Sequence, residues 1–209
     1  MGRIIFERRL GIDTEGIVPL VALGLAHRDR VSYTPSDWFT VRSALKALTV
    51  RPDDVLIDFG CGKGRVVLMA ARYPFKRVIG VDVSGALISI ARRNVARNAD
   101  RLRCKDIALI QADAADYEVP DDVTIAYFYK PFTGETFAKV VDQLLASLER
   151  RPRRLQVIFT PAGHPWYHVD AFRERARPIR TWSAGSLGDT PGQTPIAIYL
   201  LEPRPRISR

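Results

Sequence analysis

The stretch Val55-Leu-Ile-Asp-Phe-Gly-Cys-Gly-Lys-Gly64 decides how this chain is read. It begins as a short apolar run stopped by glycine, which reads as a buried strand. Glycines then recur at positions 60, 62 and 64, where the strand gives way to the apolar segment from Arg65 to Tyr73. That segment reads as a buried helix closed by Pro74. Glycine admits positive φ and lets the backbone approach a ligand with no Cβ in the way. A ligand at such a turn also meets the free N–H groups of the helix's first turn.

Outward from this turn, strand-like and helix-like segments alternate, the pattern of a parallel sheet covered by helices. Arg77 to Val83 reads as a second strand, and Ser84 as the N-cap of a helix whose Leu87, Ile88, Ala91 and Val95 share one face. Ile107 to Asp113 and Thr124 to Tyr129 read as the third and fourth strands. The helix from Gly134 to Glu149 shows the clearest periodicity, with Phe137, Val140, Val141, Leu144, Leu145 and Leu148 in one stripe. Arg154 to Thr160 is a fifth strand. Arg175 to Ala184 and Pro195 to Leu201 follow with no helical pattern between them, so an antiparallel pair is expected. Ahead of the sheet, Ser36 is placed to cap a helix carrying Trp38, Val41, Leu45 and Leu48. The fold class expected is α/β: a three-layer αβα sandwich around a mostly parallel seven-stranded sheet with an antiparallel last strand.

A chain of 209 residues with 46% hydrophobic content suits one domain with a sizeable core. Residues 1–50 read as an N-terminal helical extension capping the substrate side, 51–203 as the core and 204–209 as a tail. The net charge of +9 invites a nucleic-acid reading, but only six of the 32 basic residues are Lys. Such an Arg excess, with abundant Ala, Val, Leu and Pro, also follows from a GC-rich genome. Arg150, Arg151, Arg153 and Arg154 are read as a solvated helix end rather than a substrate tract. No apolar stretch reaches the roughly 18 residues of a membrane span. Cys61 and Cys104 cannot build a multi-bridge framework or a zinc site, so they are read as reduced thiols of a cytoplasmic protein.

Two phosphate-binding patterns can be tested on the glycine turn. The dinucleotide fingerprint G-x-G-x-x-G begun at Gly60 needs glycine at 65 and finds Arg65. The P-loop needs Ser or Thr after Lys63 and finds Gly64. Both fail, which sets a NAD-dependent enzyme aside. Asp58-Phe-Gly-Cys-Gly-Lys-Gly64 instead resembles D-x-G-x-G-x-G, the first motif of class I S-adenosylmethionine-dependent methyltransferases. Asp82 ends the second strand, and Asp113 followed by Ala114 ends the third, as in that family. The resemblance spans about residues 50 to 202 and implies S-adenosyl-L-methionine as cofactor. It implies Asp58, Gly60, Cys61, Gly62, Gly64, Asp82, Asp113, Ala114 and Tyr127 as the cofactor-binding set. Asp82 would accept from the ribose hydroxyls, and Asp113 would read the adenine amino group.

The substrate side is less specific. Tyr33-Thr-Pro-Ser36 looks like the entry to the core in a branch that includes small protein-lysine methyltransferases and bacterial relatives. Tyr127-Phe-Tyr-Lys-Pro-Phe132 stands where the family places substrate-facing residues. Its usual Asn is replaced by Lys130, an ammonium that donates hydrogen bonds and accepts none. That departure impairs amine holding and is compatible with an anionic substrate. Tyr129, Lys130 and Tyr33 are the catalytic candidates, and Pro131, Phe132, His164 and Trp166 the substrate contacts. His164 and His168 stand four apart but lack further ligands, so no metal is expected. The acceptor expected is a protein amine or a small molecule, with no membrane partner. RNA, approached through the Arg-rich surface, and a non-enzymatic cofactor-binding scaffold remain the alternatives.

Overall fold

The computed structural model describes residues 7–161, 169–184 and 194–203. Seven strands form one sheet: β1 Val55–Phe59, β2 Arg77–Asp82, β3 Ile107–Gln111, β4 Ile125–Phe128, β5 Leu155–Phe159, β6 Ala176–Ala184 and β7 Thr194–Leu201. Their order is β3-β2-β1-β4-β5-β7-β6. The first five strands pair in parallel, while β7 runs antiparallel between β5 and β6. The helices are α1 Trp38–Lys46, α2 Arg65–Ala70, α3 Gly85–Arg97, α4 Gly134–Arg150 and α5 Asp170–Arg175. The expected mixed α/β sheet with its reversed last strand is the fold observed.

The two faces of the sheet bury different cores. Strand residues alternate, so Leu56, Ile125, Tyr127 and Ile158 join α1 and α2 on one side. Val55, Ile57, Phe59, Phe128 and Phe159 join α4 on the other. There the α4 stripe inserts Phe137 among rings: Phe128 stacks on Phe59 and Phe159 at 5.1 Å each, and Phe137 meets Phe128 edge-on at 5.7 Å. Offset stacks and edge contacts are the arrangements that ring quadrupoles favour.

Several boundaries differ from those expected. The cap of α1 is Asp37, not Ser36: Asp37 Oδ1 accepts from the N–H groups of Phe39 and Thr40, whereas the Ser36 carbonyl is taken by Arg65. Ser84 caps α3 as expected, accepting from the Leu87 N–H. Strand β4 stops at Phe128, so Tyr129 and Lys130 begin a loop, with Lys130 at φ 44°. Ahead of α1, among the described residues, 7–10 are helical and most of 11–37 is irregular. Gly11, Gly16 and Gly24 take positive φ there, and Leu20–Leu23 forms only a single 3₁₀ turn. No helix among the described residues is long and apolar enough to cross a membrane.

Two substitutions separate local from tertiary stabilisation. Asp37→Ala removes a helix cap and is expected to cost about 1 kcal/mol, lowering Tm by roughly 2–4 °C. Phe137→Ala opens the ring cluster and is expected to cost about 3–5 kcal/mol by denaturant titration.

Candidate functional site

The glycine turn sits at the carboxyl ends of the parallel strands, where open α/β sheets bind ligands. Gly60, Gly62 and Gly64 all take positive φ, and their missing side chains face other protein groups. A Cβ on Gly62 would lie 2.2 Å from the Tyr33 ring, and one on Gly60 2.3 Å from Pro131 Cβ. The glycines thus let two outer segments close down on the turn.

A cavity opens inside this closure. It is lined by Asp58, Gly60, Cys61, Asp82, Asp113 and Ala114 from the core, and by Tyr129, Lys130, Pro131 and Phe132 from the loop after β4. Tyr33 and Arg30 line it from the N-terminal segment. Sequence-expected cofactor and substrate residues therefore meet in one place. Tyr127 does not join them: it is fully buried within the sheet, sharing a 2.9 Å hydrogen bond between its hydroxyl and Thr160 Oγ1. Gly62 and Gly64 shape the turn without lining the cavity. His164 and Trp166 lie outside the described residues.

The cavity lining carries charge of both signs, with Asp58, Asp82 and Asp113 beside Arg30, Arg65 and Lys130. Asp82 accepts from the Gly62 N–H through Oδ2 and from the Ser84 N–H through Oδ1, both at 2.8 Å. Burial nevertheless lifts its carboxyl above the ordinary range, against the pull of those two bonds. Asp58 is lifted further, first by burial and then by the neighbouring charge of Asp82. The same acids and its own burial hold the Cys61 thiol protonated, so it packs as a small apolar group, as expected. Asp113 behaves oppositely. Partial burial works to raise its carboxyl, but the Ala115 N–H and Arg30 outweigh it, and the group sits below the usual range. Arg30 reaches Asp113 Oδ2 at 2.7 Å.

Residues that no local motif signals hold the outer wall. Arg65 is 4% exposed and donates to Thr14 Oγ1, the Ser36 carbonyl, Glu7 and Glu15, while its guanidinium lies 4.6 Å from the Trp38 ring centre. Lys63 Nζ turns outward to Asp13 Oδ1 and the Glu15 carbonyl, both at 2.7 Å. Asn94 of α3 bonds the carbonyls of Asp13 and Lys63. The Tyr33 hydroxyl donates to the Thr14 carbonyl at 2.6 Å, and burial pushes its pKa up. That places Tyr33 as a wall of the site, with its hydroxyl turned away from a base's task. Tyr129 and Lys130 stay half-buried on the cavity, with Lys130 Nζ 5.7 Å from the Tyr129 ring centre. The described part of the N-terminal segment is thus tied to the turn by side chains distant in sequence.

Residues 56–151 match the family described as "Methyltransferase domain". The chain therefore carries a methyltransferase domain that runs from β1 to the end of α4. Among curated proteins, this methyltransferase chain is 32% identical over 75 residues to a protein-lysine N-methyltransferase of Saccharolobus islandicus, covering 35% of the chain and 47% of that protein. It is 30% identical over 116 residues to a demethylmenaquinone methyltransferase of Symbiobacterium thermophilum, covering 54% of the chain and 41% of that protein. The methyltransferase chain thus spans under half the length of these relatives. Among solved structures, an RNA methyltransferase from Salinibacter ruber, in complex with S-adenosyl-L-homocysteine, superposes with a TM-score of 0.57 at 22% identity. That match covers 82% of this chain and 95% of the other.

Two expectations follow from the turn and its acids. Gly62→Ala meets both positive φ and the Tyr33 ring, so it is expected to destabilise the protein more than Gly16→Ala, where nothing lies within 4 Å. Because the folded-state pKa of Asp58 is raised, the native state holds its proton more tightly than the unfolded chain. Its contribution to stability is therefore present at low pH and is lost as pH rises from the ordinary carboxyl value through the raised one. Asp58→Asn is expected to raise Tm at pH 7, with the gain shrinking towards pH 4 in a calorimetric pH series.

Proposed function

We propose that the cavity binds S-adenosyl-L-methionine and directs its methyl group to an acceptor entering beside Tyr129 and Lys130. The observation that carries this reading is the pair of buried carboxylates, Asp58 and Asp82, on one cavity wall. Both are held above the ordinary carboxyl range by desolvation, so a cation arriving between them is favoured. A dinucleotide pyrophosphate would meet repulsion at the same wall. The apolar side chains of Val83, Leu87, Ala112 and Ala114 supply the flat surface that a purine needs. The donor set therefore fits a ligand that is cationic at one end and aromatic at the other.

When bound, this cofactor supplies a methyl already activated by its sulfonium, so positioning and desolvation dominate the acceleration. Asp58, Gly60 and Cys61 line the turn that would receive the cationic end. Asp82 retains lone pairs for hydroxyl donors beyond the two N–H bonds it accepts. Asp113 keeps one edge towards the cavity while Arg30 and the Ala115 N–H neutralise it. Pro131 and Phe132 form the mouth, Tyr33 excludes water from the turn, and Tyr129 orients the nucleophile. The acceptor read from the site is a protein amine or a small molecule, with Lys130 favouring an anionic group beside the reacting atom. Residues 1–50 act as its substrate-side cap, and the two buried free cysteines suit the cytoplasm. An RNA acceptor is the second reading, favoured by the basic groove between α1 and α2 described below.

Asp82→Ala is expected to weaken S-adenosylmethionine binding on the order of 100-fold by calorimetry, at about 1.5–3 kcal/mol for each lost charge-assisted bond. No binding to the wild-type protein would overturn the cofactor reading. Labelled cofactor incubated with host lysate, before and after ribonuclease or protease treatment, assigns the acceptor. Label surviving both treatments marks a small molecule, and label lost with ribonuclease marks RNA.

A further inference from the structure

A second concave surface lies between α1 and α2, apart from the cofactor cavity. Five exposed cations line it: Arg9, Arg42, Lys46, Arg72 and Arg101. No carboxylate lines it, and none of the five forms an ion pair among the described residues. Its floor carries the partly exposed side chains of Phe39, Met69 and Tyr73. These residues come from four separate parts of the chain, so no basic, ring-bearing tract is visible along the sequence.

The charge imbalance has a structural origin. The N-terminal segment contains acids, but they are engaged by buried cations: Glu7 and Glu15 pair with Arg65, and Asp13, itself exposed, pairs with Lys63. Arg9 on the same segment is left outside, beside Arg101, whose guanidinium donates to the Arg9 carbonyl at 3.1 Å. The interior consumes the local negative charge, and the groove keeps the positive charge. In the Arg-rich run before β5, by contrast, Arg150 pairs with Asp121, and Arg153 donates to the carbonyls of Val123 and Ser147. The groove gathers five cations with no acid among its lining residues.

We infer that the groove between α1 and α2 is a binding site for single-stranded nucleic acid. Cations spaced along a groove track a phosphodiester backbone, and partly exposed rings on its floor offer stacking surfaces to unpaired bases. An acidic peptide would use the cations but leave the rings facing water. A duplex has its bases stacked inside and cannot reach them. The site is independent of the cofactor reading, because it is built from residues that the cavity does not use, and it can be tested by binding alone.

The test is fluorescence anisotropy with a labelled oligouridylate 12-mer, at several salt concentrations, using the full chain. The same measurement is made with a single-stranded DNA 12-mer, a DNA duplex and polyglutamate. Each phosphate contact adds roughly 0.7 to the slope of log affinity against log salt for a single strand. The double variant Arg42→Ala with Arg72→Ala is expected to bind at least tenfold more weakly and to lose about 1.4 from that slope. Phe39→Leu and Tyr73→Leu keep apolar volume but remove the rings; each is expected to weaken binding about fivefold or more without changing the slope. Calorimetry with S-adenosylmethionine should be unchanged in all four substitutions, which separates this result from failure of the cofactor reading and reports folding. Unchanged strand binding in the folded arginine variant would overturn the proposal. So would duplex or polyglutamate binding as tight as the single strands, or no saturable binding of the 12-mer at low salt.

Discussion

A guanidinium group sealed from water beneath the N-terminal segment is the constraint on which the site depends. Arg65 begins α2, directly after the glycine turn, and cannot lose its charge. Burying it is tolerable only if every donor finds an acceptor, and the acceptors come from residues 7, 14, 15 and 36. Residues 7–36 are therefore folded onto the turn by an electrostatic demand made just after β1. Removing one partner from such a buried group typically costs about 3–5 kcal/mol, because the remaining charge is stranded. Tyr33 and Lys63 extend the same closure, one ring lying against a glycine and one ammonium turned outward.

This arrangement sorts charge across the molecule. Acids of the N-terminal segment serve buried cations, acids at the strand ends line the cavity, and a group of cations without acids among them lines the groove between α1 and α2. Net charge alone could not distinguish a coding bias from a working surface. The pairing pattern narrows the question, because it shows which of the described cations already have an acid beside them.

The sheet was legible because its signals are local. The alternation of apolar runs and amphipathic stripes reported the strand count, the α4 face and the reversal of β7. The acids that line the cavity were legible because Asp58, Asp82 and Asp113 stand at regular places relative to those strands. Arg65 carried a signal that was used only negatively, as the residue that breaks a dinucleotide pattern. Its positive role depends on partners up to 58 residues away, which no window along the chain can pair. Tyr127 differs: its place in a motif suggested contact with the cofactor, and strand alternation turns its side chain into the core, off the cavity lining. Likewise, Ser36 and Asp37 are both competent caps by residue type, and the observed start of α1 at Trp38 puts Asp37 at the capping position.

The position of β7 has a consequence for how the molecule is made. This strand is the late-coming neighbour of β5, yet it lies inside the sheet and separates β5 from β6. Until residue 201 has been synthesised, the β5 edge, with Val157, Ile158 and Phe159 already in place, has no partner on that side. An unpaired apolar edge is a template for pairing with another chain. During synthesis the protein thus passes through a state with most of its sheet built and one side open. Its vulnerability to misassociation is set by the time taken to add about forty residues, a kinetic exposure that the finished fold conceals.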